Sequence, residues 1–528
     1  MQTNEAFLLD SLWLPEEIRR FALPLLLITF PFAIAFAGTP LLCGMVLVAF
    51  FLLAYQLKCV KPFGWILLAS FLVNICFFSG AVIHFDIDAY IAPQIRLIAS
   101  PFQLSPDGFY YGTHLSLPRG YSAWCAALYR LTGSVDCGAM LIWMLIPAAW
   151  LVLRAYLTRL QALLLIVSPA LFPSLFNLMP DGSVYLLLLI ALVALVDRST
   201  FWVPLLAAAG AALCKTTAWI PCALVGVVLL KRFPARWWKL GAIALLVCCY
   251  NIPTFVMLMR GGLTEISADF DRANEAAKAM GYWARLAYVY IGHWTTSTQP
   301  YFGAHLGGVD GGGVDGFGPA FRVAVMVSLG CLILGRKQLK TWFYPLLIAW
   351  GSVLVMPTLY IGYARYTPWL FPAVMLPLVL LLPRLTIPFN VLLCIYPVMW
   401  LGWRVALSTE VVRVATHATA VQSDVYNIRC FFRDKLVPST QPASSGSLLY
   451  TYAMDEAYFP SIKRTSFEDL KSVSPFVKAT DVRTHMLTTW MPWFLCHCHE
   501  YWLDLMVLRY QWLVTPRGRF DELSSAHN

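Results

Sequence analysis

Residues 21–56, FALPLLLITFPFAIAFAGTPLLCGMVLVAFFLLAYQ, contain no Asp, Glu, Lys or Arg. Gly38, Thr39 and Pro40 divide this stretch into two apolar segments, 21–38 and 39–56, and such residues are typical of a tight turn. A helix needs roughly 20 mostly apolar residues to cross a bilayer. The stretch therefore predicts two antiparallel membrane-spanning helices. Further apolar segments of similar length follow along the chain.

The composition agrees with this interpretation. Of the 528 residues, 59% are hydrophobic and 12% are charged, and the mean hydropathy is +0.67. Ordinary soluble domains carry about 25% charged residues. The values exclude an ordinary soluble enzyme and an intrinsically disordered chain. The aromatic content of 15% suits a membrane protein with aromatic belts at the lipid–water interfaces.

The net charge of +10 does not indicate a nucleic-acid partner, because the basic residues fall in short clusters between apolar runs. Such clusters encode membrane topology. Most of the 14 cysteines lie inside apolar runs, where they behave as small hydrophobic residues and not as a disulfide framework. We expect a retained first helix and no cleaved signal peptide, because residues 1–20 carry four acidic residues ahead of the first apolar segment.

Placing the basic clusters on the cytoplasmic side predicts an all-α polytopic membrane protein with about 11–13 transmembrane helices. A cytoplasmic N-terminus, 1–20, precedes a membrane module, 21–406, with outer loops at 86–136 and 259–318. A small mixed α/β domain, 407–528, lies outside the cytoplasm, with a strand near 448–452. The predicted spans are 21–38, 39–56, 65–85, 137–153, 160–178, 183–196, two short helices within 201–230 broken at Lys215, 238–258, 319–335, 341–361, 368–383 and 386–406.

Two carboxylates follow the third predicted span, in the sequence His84-Phe85-Asp86-Ile87-Asp88. Alternate residues of an extended segment share a face, so both carboxylates can converge on one ligand. An ionised Asp here can accept a proton from an acceptor hydroxyl. The alternative interpretation is that both residues merely mark the end of a helix in water.

Basic residues also occur at predicted outer helix ends and loops, where the positive-inside bias makes them unexpected. Arg and Lys side chains there can bind a phosphate leaving group. The alternative is that they extend to lipid headgroups. These residues are Arg96, Arg119, Lys215, Arg260 and Arg365.

Three further segments give weaker signals. Met179-Pro180-Asp181 is a predicted outer turn in which Asp181 is either a helix N-cap or part of the site. The Gly-rich loop from His305 to Gly318 lacks the spacing of a calcium or phosphate loop, and is either a mobile gate or a connector. Cys496-His497-Cys498-His499 is too compact for one tetrahedral metal ion, so no metal site is predicted.

These features in this order resemble the GT-C superfamily of polytopic glycosyltransferases over about 80–410. The motifs that carry the resemblance are Asp86-Ile87-Asp88 at the start of the first large outer loop, Met179-Pro180-Asp181, Lys215-Thr216-Thr217 and Arg365-Tyr366-Thr367-Pro368. The resemblance implies an enzyme that moves a sugar from a polyprenyl-phosphate carrier to a glycan, lipid or protein acceptor outside the cytoplasm. The expected location is a bacterial inner membrane.

The resemblance also implies roles for single residues. Asp86 or Asp88 acts as the base in a direct displacement that inverts the anomeric centre, with Asp86 preferred. No cofactor is indicated with certainty, and a divalent cation is left open. The residues expected to bind the carrier phosphate are Lys215, Arg365, Tyr366, Arg96 and Arg119, and those expected to support the site are His84, Asp181 and His305.

Other functions remain open from the sequence. A polymerase or ligase of lipid-linked glycans would share the donor. A transporter or flippase of lipid-linked glycans would show internal repeats and charges in mid-helix, neither of which is evident. A non-catalytic assembly subunit would tolerate the loss of Asp86 and Asp88.

Overall fold

The computed structural model describes residues 15–77, 118–132, 140–168, 171, 175, 180–252, 254–255, 281–287, 319–359, 370–394, 448–450 and 463–465. These residues are mostly helical, which confirms the helical part of the predicted fold. The helices are α1 Glu16–Arg20, α2 Ala22–Ala37, α3 Pro40–Gln56, α4 Val60–Phe77, α5 Arg119–Thr132, α6 Met140–Arg154, α7 Arg159–Ile166, α8 Asp181–Ala194, α9 Trp202–Cys214, α10 Trp219–Arg232, α11 Trp237–Tyr250, α12 Tyr282–Ala287, α13 Pro319–Leu334, α14 Phe343–Leu359, α15 Leu370–Leu381 and α16 383–394.

Each predicted apolar segment overlaps a described helix. The turn between α2 and α3 falls at Gly38, which adopts a left-handed conformation (φ 71°), and Thr39 then caps α3 by accepting from the Leu42 amide. The 201–230 segment breaks at Lys215 as predicted, with a 3₁₀ turn at Thr216–Ala218 between α9 and α10. Helix α5 lies inside the predicted outer loop 86–136, where no helix was expected.

Within the described residues, no single helix has the length and hydropathy needed to cross a membrane alone. The segments Thr216–Arg232 and Pro234–Tyr250, which are bent by 119° relative to each other, meet these criteria only as a pair.

Helix α8 is the centre of the bundle. All fourteen of its residues are buried, and it packs against α6, α9, α10 and α14. A helix that is apolar on every side must be enclosed by other elements. Its only acidic residue, Asp181, stands at the first position, so α8 places one carboxylate at one end of an otherwise apolar core.

The basic clusters gather at the other end of α8. The Arg20 guanidinium lies 3.5 Å from the Asp197 carboxylate in the α8–α9 loop, and Arg232 donates to the Leu195 carbonyl at 2.7 Å. Burial alone would raise the pKa of Asp197, but the hydrogen bonds from Ser199 and the charges of Arg20 and Arg232 outweigh it and lower the pKa. We call this the basic end. It brings together residues that the positive-inside interpretation placed on one side.

The N-terminal segment is attached to the basic end by one carboxylate. Glu17 accepts from the backbone amides of Phe201, Trp202 and Val203 at 2.9, 2.6 and 2.9 Å. These are the amides that have no partner within α9 at its start. Glu17 therefore caps a helix 184 residues away in the chain, and its negative charge suits the positive end of the helix dipole.

Helix α5 crosses the end of the bundle opposite the basic end. Its first turn packs tightly on the last turn of α9. The contact is so close that a Cβ on Gly120 would lie only 2.6 Å from the Leu213 carbonyl oxygen. Its last turn reaches the α2–α3 turn, where Arg130 donates to the Gly38 carbonyl. Trp124, between these contacts, is 1% exposed and meets Phe30 edge-on. Helix α5 thus covers the ends of α2 and α9.

Two short strands are described in the C-terminal region. Strand β1, Leu448–Tyr450, lies within the predicted 448–452 segment and pairs in parallel with β2, Lys463–Thr465. The remainder of the predicted C-terminal domain lies outside the described residues.

Replacing Glu17 with Ala is expected to destabilise the protein by about 1–2 kcal/mol, because three amides of α9 lose their acceptor. Thermal unfolding of the purified protein measures the change. Glu16→Ala is the matched control, because Glu16 is exposed and makes no described contact with α9. Equal melting temperatures for the two variants would contradict the cap.

Candidate functional site

The end of the bundle covered by α5 contains a buried ion pair between Lys215 and Asp181. The Lys215 ammonium donates to the Oδ1 atom of Asp181, and the two side chains are 12% and 2% exposed. Two opposite charges that are so little exposed are stable only as partners, because either alone would lose most of its hydration. The pair therefore joins the start of α8 to the end of α9.

The local structure explains why these two residues meet. Asp181 is the first helical residue of α8, and Pro180 occupies the N-cap position without a side-chain bond. The interpretation of Asp181 as the N-cap is therefore wrong, because the N-cap position lies one residue earlier. The Asp181 carboxylate binds Lys215 instead. Lys215 ends α9 in an extended conformation (φ −155°, ψ 134°). This abrupt end turns its side chain toward the neighbouring helix start.

Arg119 stands at the first position of α5, next to the same helix ends. Its neighbour Gly120 packs directly on Leu213, two residues before Lys215. Any side chain at Gly120 would collide with the backbone of Leu213, so the glycine allows α5 to approach α9. The close approach brings Arg119 and Lys215, separated by 96 positions in the sequence, to one end of the bundle.

Two tyrosines that sequence reasoning did not identify complete this group. Burial, then the neighbouring Cys125 and Cys214, and finally the charge of Asp181 raise the pKa of Tyr121 well above its usual value, so this phenol stays protonated. Tyr250, at the end of α11, lies near Arg119. No sequence motif surrounds either residue, and only the helix packing brings them to the charged groups.

Some polar atoms of this group are buried without a partner among the described residues. They are the Oδ2 atom of Asp181, the Nε atom of Arg119 and the Oγ1 atom of Thr217. A buried donor or acceptor without a partner costs about 1–3 kcal/mol. Such groups in native proteins normally bind water, an ion or a ligand. We call Arg119, Asp181, Lys215 and Thr217 the polar cluster.

The charges of the polar cluster favour an anion. Asp181 matches the charge of Lys215, so the positive charge of Arg119 is left in excess. The start of α8 adds the partial positive charge of a helix N-terminus. The described residues contain no group of three or more His, Cys, Asp or Glu side chains that could bind a metal ion.

The structure thus brings together three of the residues that the sequence singled out: Arg119, Asp181 and Lys215. The other candidates, from the acidic segment, the outer loops and the Arg-Tyr-x-Pro segment, lie outside the described residues. They are His84, Asp86, Asp88, Arg96, Arg260, His305, Arg365 and Tyr366.

No protein-family model matches the sequence, and no curated protein and no solved structure is significantly similar to the chain.

The ion pair predicts a non-additive effect of mutation. Asp181→Asn or Lys215→Met alone should each destabilise the protein by about 3–5 kcal/mol, because the remaining charge is buried without its partner. The double variant should lose less than the sum of the two, since it leaves no buried charge. Melting temperatures of the four proteins measure the coupling. Additive losses would show that the two side chains do not interact.

Proposed function

We propose that this chain is an integral membrane glycosyltransferase of the GT-C type, which transfers a sugar from a polyprenyl-phosphate carrier to an acceptor outside the cytoplasm. The polar cluster is the observation that supports the proposal most directly. It combines two cations from different helices at the end of the bundle opposite the basic end. An anionic phosphate group would match the excess positive charge of Arg119, and its oxygens can accept from both side chains.

Outward-facing apolar side chains support a location in lipid. Helix α3 has seventeen residues, none of them charged, yet only Cys43 and Ala54 are buried. Leu41 is 77% exposed and Met45 is 60% exposed. Soluble monomers rarely expose contiguous apolar surface on this scale. Helix α4, which packs against α3, also exposes Trp65, Leu68, Phe71 and Leu72.

The two ends of the bundle differ as an inside and an outside would. The basic end collects Arg20, Arg232, Arg236 and Lys239, which suits a cytoplasmic face under the positive-inside rule. The polar cluster lies at the opposite end of α8 and α9 and would therefore face away from the cytoplasm. A lipid-linked donor would reach it from the outer leaflet.

Within the cluster, the proposal gives each residue a distinct task. Lys215 and Arg119 would stabilise the carrier phosphate as it departs, when its negative charge increases. Asp181 would act as a positioning residue, because its carboxylate holds the Lys215 ammonium in place. Asp86, or Asp88, would take the proton of the acceptor hydroxyl, and Arg365 with Tyr366 would complete the phosphate site.

The proposal also retains the expected extracytoplasmic domain at 407–528 and the bacterial inner membrane as the location. Its general test is incubation of the purified protein with a panel of radiolabelled polyprenyl-phosphate sugars. Loss of label from the carrier supports a transferase. Movement of intact labelled carrier across a proteoliposome membrane would instead indicate a flippase.

Arg119→Ala is expected to weaken binding of a polyprenyl-phosphate sugar about tenfold or more, because a hydrogen bond to a charged group is worth roughly 1.5–3 kcal/mol. Binding is measured by titration of the purified protein with labelled carrier. Arg159→Ala is the control, since Arg159 is an exposed arginine at the start of α7. Unchanged donor affinity in Arg119→Ala would remove this residue from the site.

Asp86→Asn and Asp88→Asn test the proposed base. At least one of them should abolish sugar transfer while leaving the melting temperature unchanged, because Asn cannot accept the acceptor's proton. Asp107→Asn, in the same predicted outer loop, should retain transfer. Full activity of both Asp86→Asn and Asp88→Asn would reject the base assignment.

A further inference from the structure

The turn between α10 and α11 presents two cations on aromatic rings at the basic end. Arg236, in the 3₁₀ turn Pro234–Arg236, lies over the rings of Phe201 and Phe233 at 5.1 and 5.0 Å. Lys239, in the first turn of α11, lies over Trp202 and Trp238 at 5.3 and 5.2 Å. Ring faces attract cations but accept few of their hydrogen bonds. The N–H donors of both side chains therefore remain available to another acceptor.

Two carboxylates at this end, those of Asp197 and Glu17, already have partners. Asp197 is bound by Ser199 and Arg20, and Glu17 accepts from three amides of α9. Among the described residues, neither Arg236 nor Lys239 forms an ion pair. Arg236 and Lys239 differ in this respect from Lys215, whose charge is matched by Asp181. An anion would complement the two positive charges.

The surroundings of the two cations suit a lipid. Trp237 and Trp238 are 65% and 56% exposed in the same turn, and an exposed Trp is typical of the level of the headgroups. Beyond the turn, α11 has no buried residue, and Leu245 and Leu246 face outward along it. A polar head at the turn would thus continue into apolar chains along α11.

The geometry points to a binding site for the headgroup of an anionic glycerophospholipid at Arg236 and Lys239, with its acyl chains on the outward face of α11. This inference rests on the membrane location in the proposed function, but it concerns the opposite end of the bundle from the polar cluster. A phosphodiester with net negative charge supplies the acceptor oxygens that the two side chains lack.

The test uses the full-length protein in nanodiscs of phosphatidylcholine, with and without phosphatidylglycerol. Native mass spectrometry of the protein released from the discs counts the phosphatidylglycerol molecules retained. Arg236→Gln and Lys239→Gln should each reduce retention about fivefold, since a cation near an anionic surface contributes about that factor in binding. Arg336→Gln/Lys337→Gln removes two exposed cations after α13 as the matched control, and should retain the lipid.

Each outcome has a definite meaning. Equal retention by the parent and by Arg236→Gln/Lys239→Gln overturns the site, as does an equal loss in the Arg336→Gln/Lys337→Gln control. Displacement of the lipid by inorganic phosphate at comparable concentration would assign the cations to a free anion and overturn the lipid assignment. Insertion into phosphatidylcholine discs without any preference for phosphatidylglycerol defeats this inference alone. Failure to insert into either disc defeats the membrane location as well.

Discussion

Burial of helix α8 is the constraint on which the rest of the structure depends. Its fourteen residues are all enclosed by other helices, and its one charged residue stands at its first position. A carboxylate that is 1% exposed requires a partner of opposite charge close by. Lys215 meets that requirement only because α9 ends abruptly beside it. The packing of α8 in the core therefore also fixes the position of the candidate site.

The packing around α8 also gives the bundle two chemically different ends. At one end, Glu17, Asp197 and Arg232 satisfy the backbone groups left open around α9 and the α8–α9 loop. At the other, Asp181 and Arg119 keep buried atoms that no described residue satisfies. Polar groups used for stability are normally satisfied within the protein, whereas unsatisfied ones are expected where a ligand binds. We place the anionic donor at the second end because the buried Nε–H of Arg119 there is a donor without a described acceptor.

Much of the helical framework was predictable, because apolar runs of suitable length form helices and Gly, Pro and Lys interrupt them. The break at Lys215 and the turn at Gly38 both follow from local chemistry. Helix α5 was missed because its apolar residues are interleaved with polar ones inside a segment interpreted as a loop. Of the two interpretations of Asp181, the N-cap is wrong, because α8 already includes this residue and its carboxylate pairs with Lys215, 34 positions away.

Composition and the order of charged residues determined by themselves that the chain forms a series of apolar helices with basic residues gathered between them. Helix formation and the spacing of basic residues both depend on residues that are close together in the sequence. Tertiary structure alone decided that Asp181 pairs with Lys215, that Gly120 admits α5 to Leu213, and that Glu17 caps α9. These contacts join residues far apart in the chain, and their energies depend on burial and mutual distance, which a linear pattern does not encode.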